Sequence, residues 1–230
     1  DASVRRVLEA KAALGLPRER FVRTAALRRL VAPRAHLDVA VRAYESSATL
    51  VRNEGGVLPL APSGPGKLAL VSLSSDLGDY YAGQAFVTAM RQRFPGVPAF
   101  YADGDTGTET LEEAFARASS AETVVLALFS RLSDRKGSVD LDPRHVDLVR
   151  RLAALDDGPS VVVVSFGSPY FLRHFPEVDA YVCLYRATAE AQTTAARALA
   201  GEIDVGGRLP VTIPGLYPVG HGLTLPRRKP

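Results

Sequence analysis

Five short apolar runs of strand length, separated by segments of helical character, constrain the fold of this 230-residue chain more than any other feature. The runs are nearly continuous in apolar residues instead of alternating with polar ones, which is typical of strands that are buried on both faces. They lie at residues 68–73, 97–101, 123–129, 160–165 and 180–185. Strands of this kind form a parallel sheet with helices on each side. We therefore predict an α/β fold, a doubly wound and mostly parallel αβα sandwich.

The segments before and between the runs have helical spacing. Helices are predicted at residues 2–14, 36–52, 79–92, 108–119, 143–155 and 188–200, with a short helix after Pro169. A helix of about 14 residues is marginally stable alone in water, so the first one needs a partner. Residues 17–35 are Arg-rich and irregular, which is typical of a linker, and the Gly- and Pro-rich residues 201–225 are predicted to be an extended tail packed over the domain.

Composition and charge argue against several function classes. The chain has 28 Lys and Arg against 25 Asp and Glu, and the basic residues are dispersed, whereas a nucleic-acid interface needs clustered positive charge. The lone Cys183 excludes an internal disulfide and a thiolate metal site, and we expect it to be a buried small hydrophobe. No apolar run approaches the roughly 20 residues of a membrane-spanning helix. We predict no nucleic-acid partner, no membrane span and no metal.

The histidines and glycines do not form a recognisable cofactor site. The four histidines are far apart in the sequence; His145 and His174 are interpreted as surface helix residues, and His221, between two glycines, is the more interesting one. The loop 74–79 after the first strand lacks Gly-x-Gly-x-x-Gly, and Gly104–Gly107 is interpreted as a turn. A nucleotide-binding protein is therefore the weakest hypothesis, and no cofactor is predicted.

The loop 130–138 after the third strand is long and polar, and it holds the candidate site residues. In parallel sheets ligands bind at the carboxyl ends of the strands. Arg131, Asp134 and Arg135 are suited to bind hydroxyl groups or a carboxylate there. A solvated loop without function is the alternative.

Four stretches, in the same order and over nearly the whole chain, resemble the C-terminal part of family 3 glycoside hydrolases. They are residues 3–16, residues 47–60, residues 167–170 with 179–181, and residues 201–203 with 206–214. The first is similar to the last helix of that family's N-terminal (β/α)8-type barrel. The second, which contains Asn53-Glu54-Gly55-Gly56, is similar to the start of its second domain. The resemblance implies that residues 1–35 are the last barrel helix and an interdomain linker, and that residues 36–230 are the C-terminal α/β sandwich with its tail.

Within this family the ending Gly215–Leu223 is most similar to the bacterial β-N-acetylglucosaminidase, or β-N-acetylhexosaminidase, branch. In the β-glucosidase branch the acid/base glutamate comes from the region that matches residues 130–140, which contain no glutamate here. The aminosugar branch takes its acid/base from an Asp-His pair of the barrel, and the nucleophilic aspartate of the family also belongs to the barrel. The resemblance therefore implies no catalytic residue in this chain. A decayed glucosidase domain fits the missing glutamate equally well.

The resemblance leads to one main hypothesis and two alternatives. The main one is the second domain of a retaining β-N-acetylhexosaminidase that acts on cell-wall aminosugars. Its partners are the barrel of the same parent protein and a carbohydrate, and it braces the barrel and lends Arg131, Asp134 and Arg135 to the active-site rim. The alternatives are a non-catalytic glycan-binding or structural module and the second domain of a β-glucosidase-type enzyme. Asp134 alone cannot carry out two-carboxylate glycoside hydrolysis, so the isolated chain is expected to be inactive.

Two expectations concern the chain as a whole. Because it begins at Asp1 without an initiator Met, its true N-terminus is expected to lie further upstream. The compartment stays open between export to the cell envelope and the cytoplasm of a bacterium.

Overall fold

A six-stranded sheet forms the centre of the computed structural model, which describes residues 1–61, 67–79, 81–130 and 140–229. Its strands are β1 (Thr49–Asn53), β2 (Leu68–Ser74), β3 (Ala99–Ala102), β4 (Thr123–Phe129), β5 (Ser160–Ser165) and β6 (Ala180–Cys183). They are arranged in the order β1-β6-β5-β4-β2-β3. All neighbours from β6 to β3 are parallel, and only β1 runs antiparallel, at the edge beside β6. The predicted α/β fold with a mostly parallel sheet is confirmed.

Helices cover both faces of this sheet. The α-helices are α1 (Ala2–Ala13), α2 (Leu27–Leu30), α3 (Arg34–Ser47), α4 (Gln84–Arg93), α5 (Thr108–Ser119), α6 (Pro143–Ala153) and α7 (Ala189–Leu199). Helices α4 and α7 pack together on one face, and α5 and α6 on the other. Successive residues of one strand serve the two cores: Val125 of β4 packs with α4 and α7, and Leu126 packs with α6. This explains the continuous apolar runs, because every side chain of a central strand faces a helical layer.

Strand β1 corrects the predicted helix over residues 36–52. Helix α3 ends at Ser47, and Thr49–Asn53 pair with β6, with Thr49 opposite Cys183. Leu50 and Val51 continue the helical spacing of α3, but each is only 1 % exposed, between the sheet and its covering layers. Burial in the sheet therefore overrides the local helical pattern.

The Gly- and Pro-rich tail lies along the β1 edge. The amide of Leu223 donates to the carbonyl of Leu50 at 2.7 Å, and Leu225 and Val205 exchange two backbone hydrogen bonds of 2.9 Å. The tail thus satisfies backbone groups that an open edge strand would expose to other chains.

The chain divides into two units, Asp1–Val39 and Ala40–Pro230. The first unit holds α1 and α2, and α1 has no buried residue. The assignment of residues 1–35 to a barrel helix and a linker, followed by a domain from residue 36, stays a prediction. Among the described residues, none of the helices is long and apolar enough to cross a membrane.

Candidate functional site

The carboxyl ends of the five parallel strands meet at one edge of the sheet, which we call the carboxyl edge. Its residues are those that directly follow β2, β3, β4, β5 and β6. The chain passes from β2 to β3 on one side and then crosses back from β3 to β4 on the other side of β2, so the direction in which strands are added reverses between β2 and β4. In doubly wound sheets this reversal opens a crevice where ligands bind.

At the reversal point the crevice is filled by the protein's own groups. The hydroxyl of Ser75, just after β2, accepts a hydrogen bond of 2.8 Å from the amide of Asp142. The Asp142 carboxylate in turn accepts the amide of Arg144 at 2.9 Å and caps the N-terminus of α6. The positive end of that helix is thereby neutralised by an internal carboxylate, which argues against a phosphate site here.

Arg144 completes this closed network. Its guanidinium donates to the carbonyls of Gly104 and Thr106, both at 2.7 Å, and to the Asp142 carboxylate at 2.7 Å. Burial raises the pKa of the Asp142 carboxyl, but hydrogen bonds from the Arg144 side chain and amide outweigh burial and hold that pKa below its usual range. Asp142 is therefore an ionised structural group.

The segment Gly104–Gly107 forms a turn, as predicted. The Thr106 hydroxyl accepts from the Asp103 amide at 2.8 Å and donates to the Asp103 carboxylate at 2.9 Å. The amide of Gly78, in the loop after β2, donates to the Asp105 carboxylate at 3.0 Å. The Asp103 amide is thus used by a hydroxyl of the same turn and the Gly78 amide by a carboxylate, so neither is directed at a phosphate.

His145 corrects the prediction of a surface residue. Its side chain is fully buried, and neither ring nitrogen makes a well-formed hydrogen bond among the described residues, although the Asp103 backbone and the Asp142 carboxylate lie near enough to favour the charged ring. Burial lowers the pKa of the imidazole, because the charged form loses its water. The spacing of His145, Leu148, Val149 and Leu152 is the i, i+3, i+4, i+7 pattern of a buried helix face, and this signal could have placed His145 in the core.

In the other half of the carboxyl edge, the described residues line a cleft of about 680 Å³ beside the ends of β4 and β5. Its lining residues are Asp140, Ser168, Tyr170, Phe171, Arg173, His174 and Pro214. A volume of this order is within the range of about 300–1,000 Å³ that is typical of small-molecule sites. We call it the Asp140 cleft.

An aspartate–histidine pair forms one wall of the Asp140 cleft. The Nε2 of His174 lies 2.6 Å from the Oδ1 of Asp140, and the Leu141 amide donates to the same oxygen at 2.9 Å. His174 was expected on a helix surface; it ends the 3-10 helix Pro169–His174, and its side chain is 30 % exposed. No sequence signal predicts this pair, because its members are 34 residues apart.

Asp140 is held in its ionised form. Burial raises the pKa of its carboxyl, but the hydrogen bonds from Leu141 and His174 and the nearby charge of Arg173 outweigh burial, so the pKa lies below its usual range. A carboxyl group of this kind is poorly suited to be a general acid, which needs a raised pKa.

The predicted rim residues Arg131, Asp134 and Arg135 lie outside the described residues. The positions on either side are described: the Ser130 hydroxyl lies 3.5 Å from the carbonyl of Asp140. The described residues Ser130 and Asp140 thus lie near each other at the carboxyl edge, and contact of the three candidates with a substrate stays a prediction.

Two other residues named from the sequence, His221 and Cys183, contribute to the packing of the fold. The Nε2 of His221 lies 2.8 Å from the carbonyl of Val51, and its ring stacks on Tyr217. Cys183 is buried in β6, and burial raises the pKa of its thiol, as expected for a small core residue. Within the described part of the chain, no group of three or more His, Cys, Asp or Glu residues could hold a metal ion.

The sequence profile of the glycosyl hydrolase family 3 C-terminal domain matches residues 48–220, three quarters of the chain. The chain belongs to this family. This family 3 domain is 27% identical to "Beta-D-xylosidase 1" of Arabidopsis thaliana in an alignment of 201 positions, which covers 77% of this chain and 26% of that protein. The family 3 domain thus spans about a quarter of this curated relative.

Solved structures of low sequence identity share the fold of this family 3 domain. A β-glucosidase from Listeria innocua in complex with laminaribiose superposes with a TM-score of 0.71 at 22% identity, over 91% of this chain and 31% of that one. A family 3 β-N-acetylglucosaminidase from Paenibacillus sp. gives a TM-score of 0.58 at 19% identity, over 76% of this chain and 32% of that one. These similarities establish the sandwich fold of the family 3 domain and leave the substrate open.

Proposed function

We propose that this chain is the second domain of a retaining β-N-acetylhexosaminidase that acts on cell-wall aminosugars, and that it contributes no catalytic carboxylate. In this proposal the nucleophile and the acid/base belong to an N-terminal barrel of the same parent protein. The domain braces that barrel, and Arg131, Asp134 and Arg135 reach the rim of its active site.

The observation that carries the proposal is the lack of a suitable proton donor among the residues that the structure describes at the carboxyl edge, together with the missing glutamate of residues 130–140. Residues 130–140 contain no glutamate. The described carboxyls nearest that segment, Asp140 and Asp142, both have a lowered pKa and are ionised at neutral pH. A general acid for glycoside cleavage must hold its proton at working pH, so neither group fits that role.

The second candidate is the domain of a β-glucosidase-type or xylosidase-type enzyme. It is favoured by the name of the β-D-xylosidase relative and by the β-glucosidase fold match. In that case an aspartate of the same segment, Asp134 or Asp140, would have to replace the missing glutamate as acid/base.

Kinetics of the chain joined to the barrel of its proposed parent protein separate the two candidates. The proposal expects hydrolysis of 4-nitrophenyl N-acetyl-β-glucosaminide in preference to the glucoside and the xyloside. The variants Asp134→Asn and Asp140→Asn should each keep kcat within about tenfold, whereas loss of a true acid/base costs about 10²–10⁴-fold. A parallel series with dinitrophenyl glycosides, whose leaving group needs no protonation, should show the same small effects.

Two results would contradict the proposal. The first is a large loss in either aspartate variant that dinitrophenyl substrates rescue, which would assign the acid/base to this domain. The second is a joined protein that binds glycans but hydrolyses none of the three substrates, which would favour the non-catalytic glycan-binding or structural module. The 230-residue chain alone is the matched control and is expected to be inert.

A further inference from the structure

The Asp140 cleft contains polar and aromatic groups that the fold itself does not use. Within the described residues, the exposed guanidinium of Arg173 makes no ion pair or hydrogen bond, and neither does the hydroxyl of Tyr170. The Tyr170 residue is 42 % exposed. By contrast, the Arg144 guanidinium at the other half of the carboxyl edge is fully engaged by Asp142 and two carbonyls.

We propose that the Asp140 cleft is a binding subsite for a saccharide that carries a carboxylate. The inference deepens the proposed function and rests on it for the choice of a carbohydrate as ligand. An exposed tyrosine offers an apolar ring face together with a hydroxyl, which suits the mixed surface of a sugar ring. Arg173 is the group that binds the carboxylate, since a guanidinium matches the two oxygens of a carboxylate in a bidentate arrangement.

The charges around the cleft explain why Arg173 is available for a ligand. Asp140 lies close enough for the charge of Arg173 to lower its pKa, but its Oδ1 atom is held by His174 and the Leu141 amide. The Asp140–His174 pair therefore positions the wall of the cleft. Arg150 also holds the backbone of this wall, because its Nε donates a hydrogen bond to the His174 carbonyl.

The turn after β5 positions the two side chains proposed to contact the ligand. Ser168 caps the 3-10 helix Pro169–His174 by accepting the Tyr170 amide at 3.2 Å, and Phe171 is buried below it. This anchoring places Tyr170 and Arg173, three residues apart, on one turn of a short helix whose eclipsed i and i+3 side chains lie on the same side. The aromatic and the cationic group are thus presented together.

The test is an NMR titration of the ¹⁵N-labelled 230-residue chain with D-glucuronate, D-glucose and acetate. Glucuronate and glucose differ only in a carboxylate for a hydroxymethyl group, and acetate supplies the carboxylate without the ring. We expect glucuronate to bind about tenfold more tightly than either of the others, with amide shifts at residues 140–141 and 168–174. Added salt should weaken glucuronate binding, because an ionic contact at an exposed site is screened.

Two variants and a control assign the contacts. Arg173→Gln should lower the glucuronate affinity about tenfold, to the level of glucose, and Tyr170→Ala should weaken both sugars. The control Arg42→Gln removes an exposed arginine of α3 and should change neither affinity. Equal binding of acetate and glucuronate, shifts that map elsewhere, or an Arg173→Gln variant that retains the preference for glucuronate would each overturn the subsite. Because this is a binding measurement on the chain alone, its failure leaves the hydrolysis test of the joined protein untouched.

Discussion

Replacement of the buried His145 by leucine is expected to stabilise the domain, and more strongly in acid than at neutral pH. The imidazole is fully buried on α6, and neither nitrogen makes a well-formed hydrogen bond among the described residues; the nearby Asp103 backbone offsets only part of the cost of burial. Burial of a polar group without a hydrogen bond costs roughly 1–3 kcal/mol. The leucine side chain is of comparable size, favours helices and has no polar atom to desolvate. At pH 8 we therefore expect His145→Leu to raise the free energy of unfolding by about 1–2 kcal/mol.

The pH dependence follows from the lowered pKa of His145 in the folded state. In the unfolded chain the imidazole takes up a proton as the pH falls through its ordinary value of 6.5, whereas the buried ring stays neutral to lower pH. The unfolded state then binds more protons, so the wild-type protein loses stability as the pH falls below about 6.5. At pH 5.5 this loss reaches at most about 1.4 kcal/mol for one histidine that stays neutral in the fold. The leucine variant lacks this contribution.

Urea unfolding followed by circular dichroism, at pH 8 and at pH 5.5, measures both effects. The stabilisation by His145→Leu should grow by about 1 kcal/mol between the two pH values. His36→Gln, which changes an exposed histidine of α3, serves as the control and should leave both values unaltered. If His145→Leu instead lowers stability at both pH values, the ring makes a hydrogen bond worth more than its burial costs, and the reasoning is refuted.

Two further substitutions test backbone and capping features by the same urea assay. Gly83→Ala should cost about 2–4 kcal/mol, because Gly83 has φ +85° and a Cβ there would lie 2.3 Å from the Ser72 Oγ and 2.8 Å from the Phe129 ring. Gly96→Ala, with φ +77° but open space around the Cβ, should cost only about 1–2 kcal/mol, and equal losses would contradict the steric argument. Thr188→Ala should cost about 1 kcal/mol by removing the N-cap of α7, while Thr188→Ser should retain most of the stability; an unchanged midpoint in the alanine variant would show that the cap is not needed.

The central strands could be predicted from sequence because their burial leaves a direct trace. Runs such as Val161–Val164 are apolar at every position, since both of their faces are covered. Strand β1 could not be predicted in the same way, because Leu50 and Val51 satisfy a helical period as well as a strand. Pairing with β6, whose residues lie far away in the sequence, makes this segment a strand and not a continuation of the helix.

The site was harder to predict than the fold. The sequence places Asp140 and Tyr170 after strands, and hence at the carboxyl edge, but not beside each other. The contact of Asp140 with His174 depends on how the turn after β5 folds back toward the chain that follows β4. Sequence reasoning selects Arg131, Asp134 and Arg135 instead, which lie outside the described residues.

The pairing of the tail with β1 has a consequence for the order in which the domain can assemble during synthesis. His221 contacts the carbonyl of Val51 across 170 residues of chain, and Leu223 pairs with Leu50. Residues 49–53 leave the ribosome long before β6 and the tail that flank them. This strand must therefore wait as an unpaired, apolar segment until the last part of the chain is made, so the antiparallel edge is expected to be the last part of the sheet to close and the segment for which a chaperone has the longest opportunity to bind.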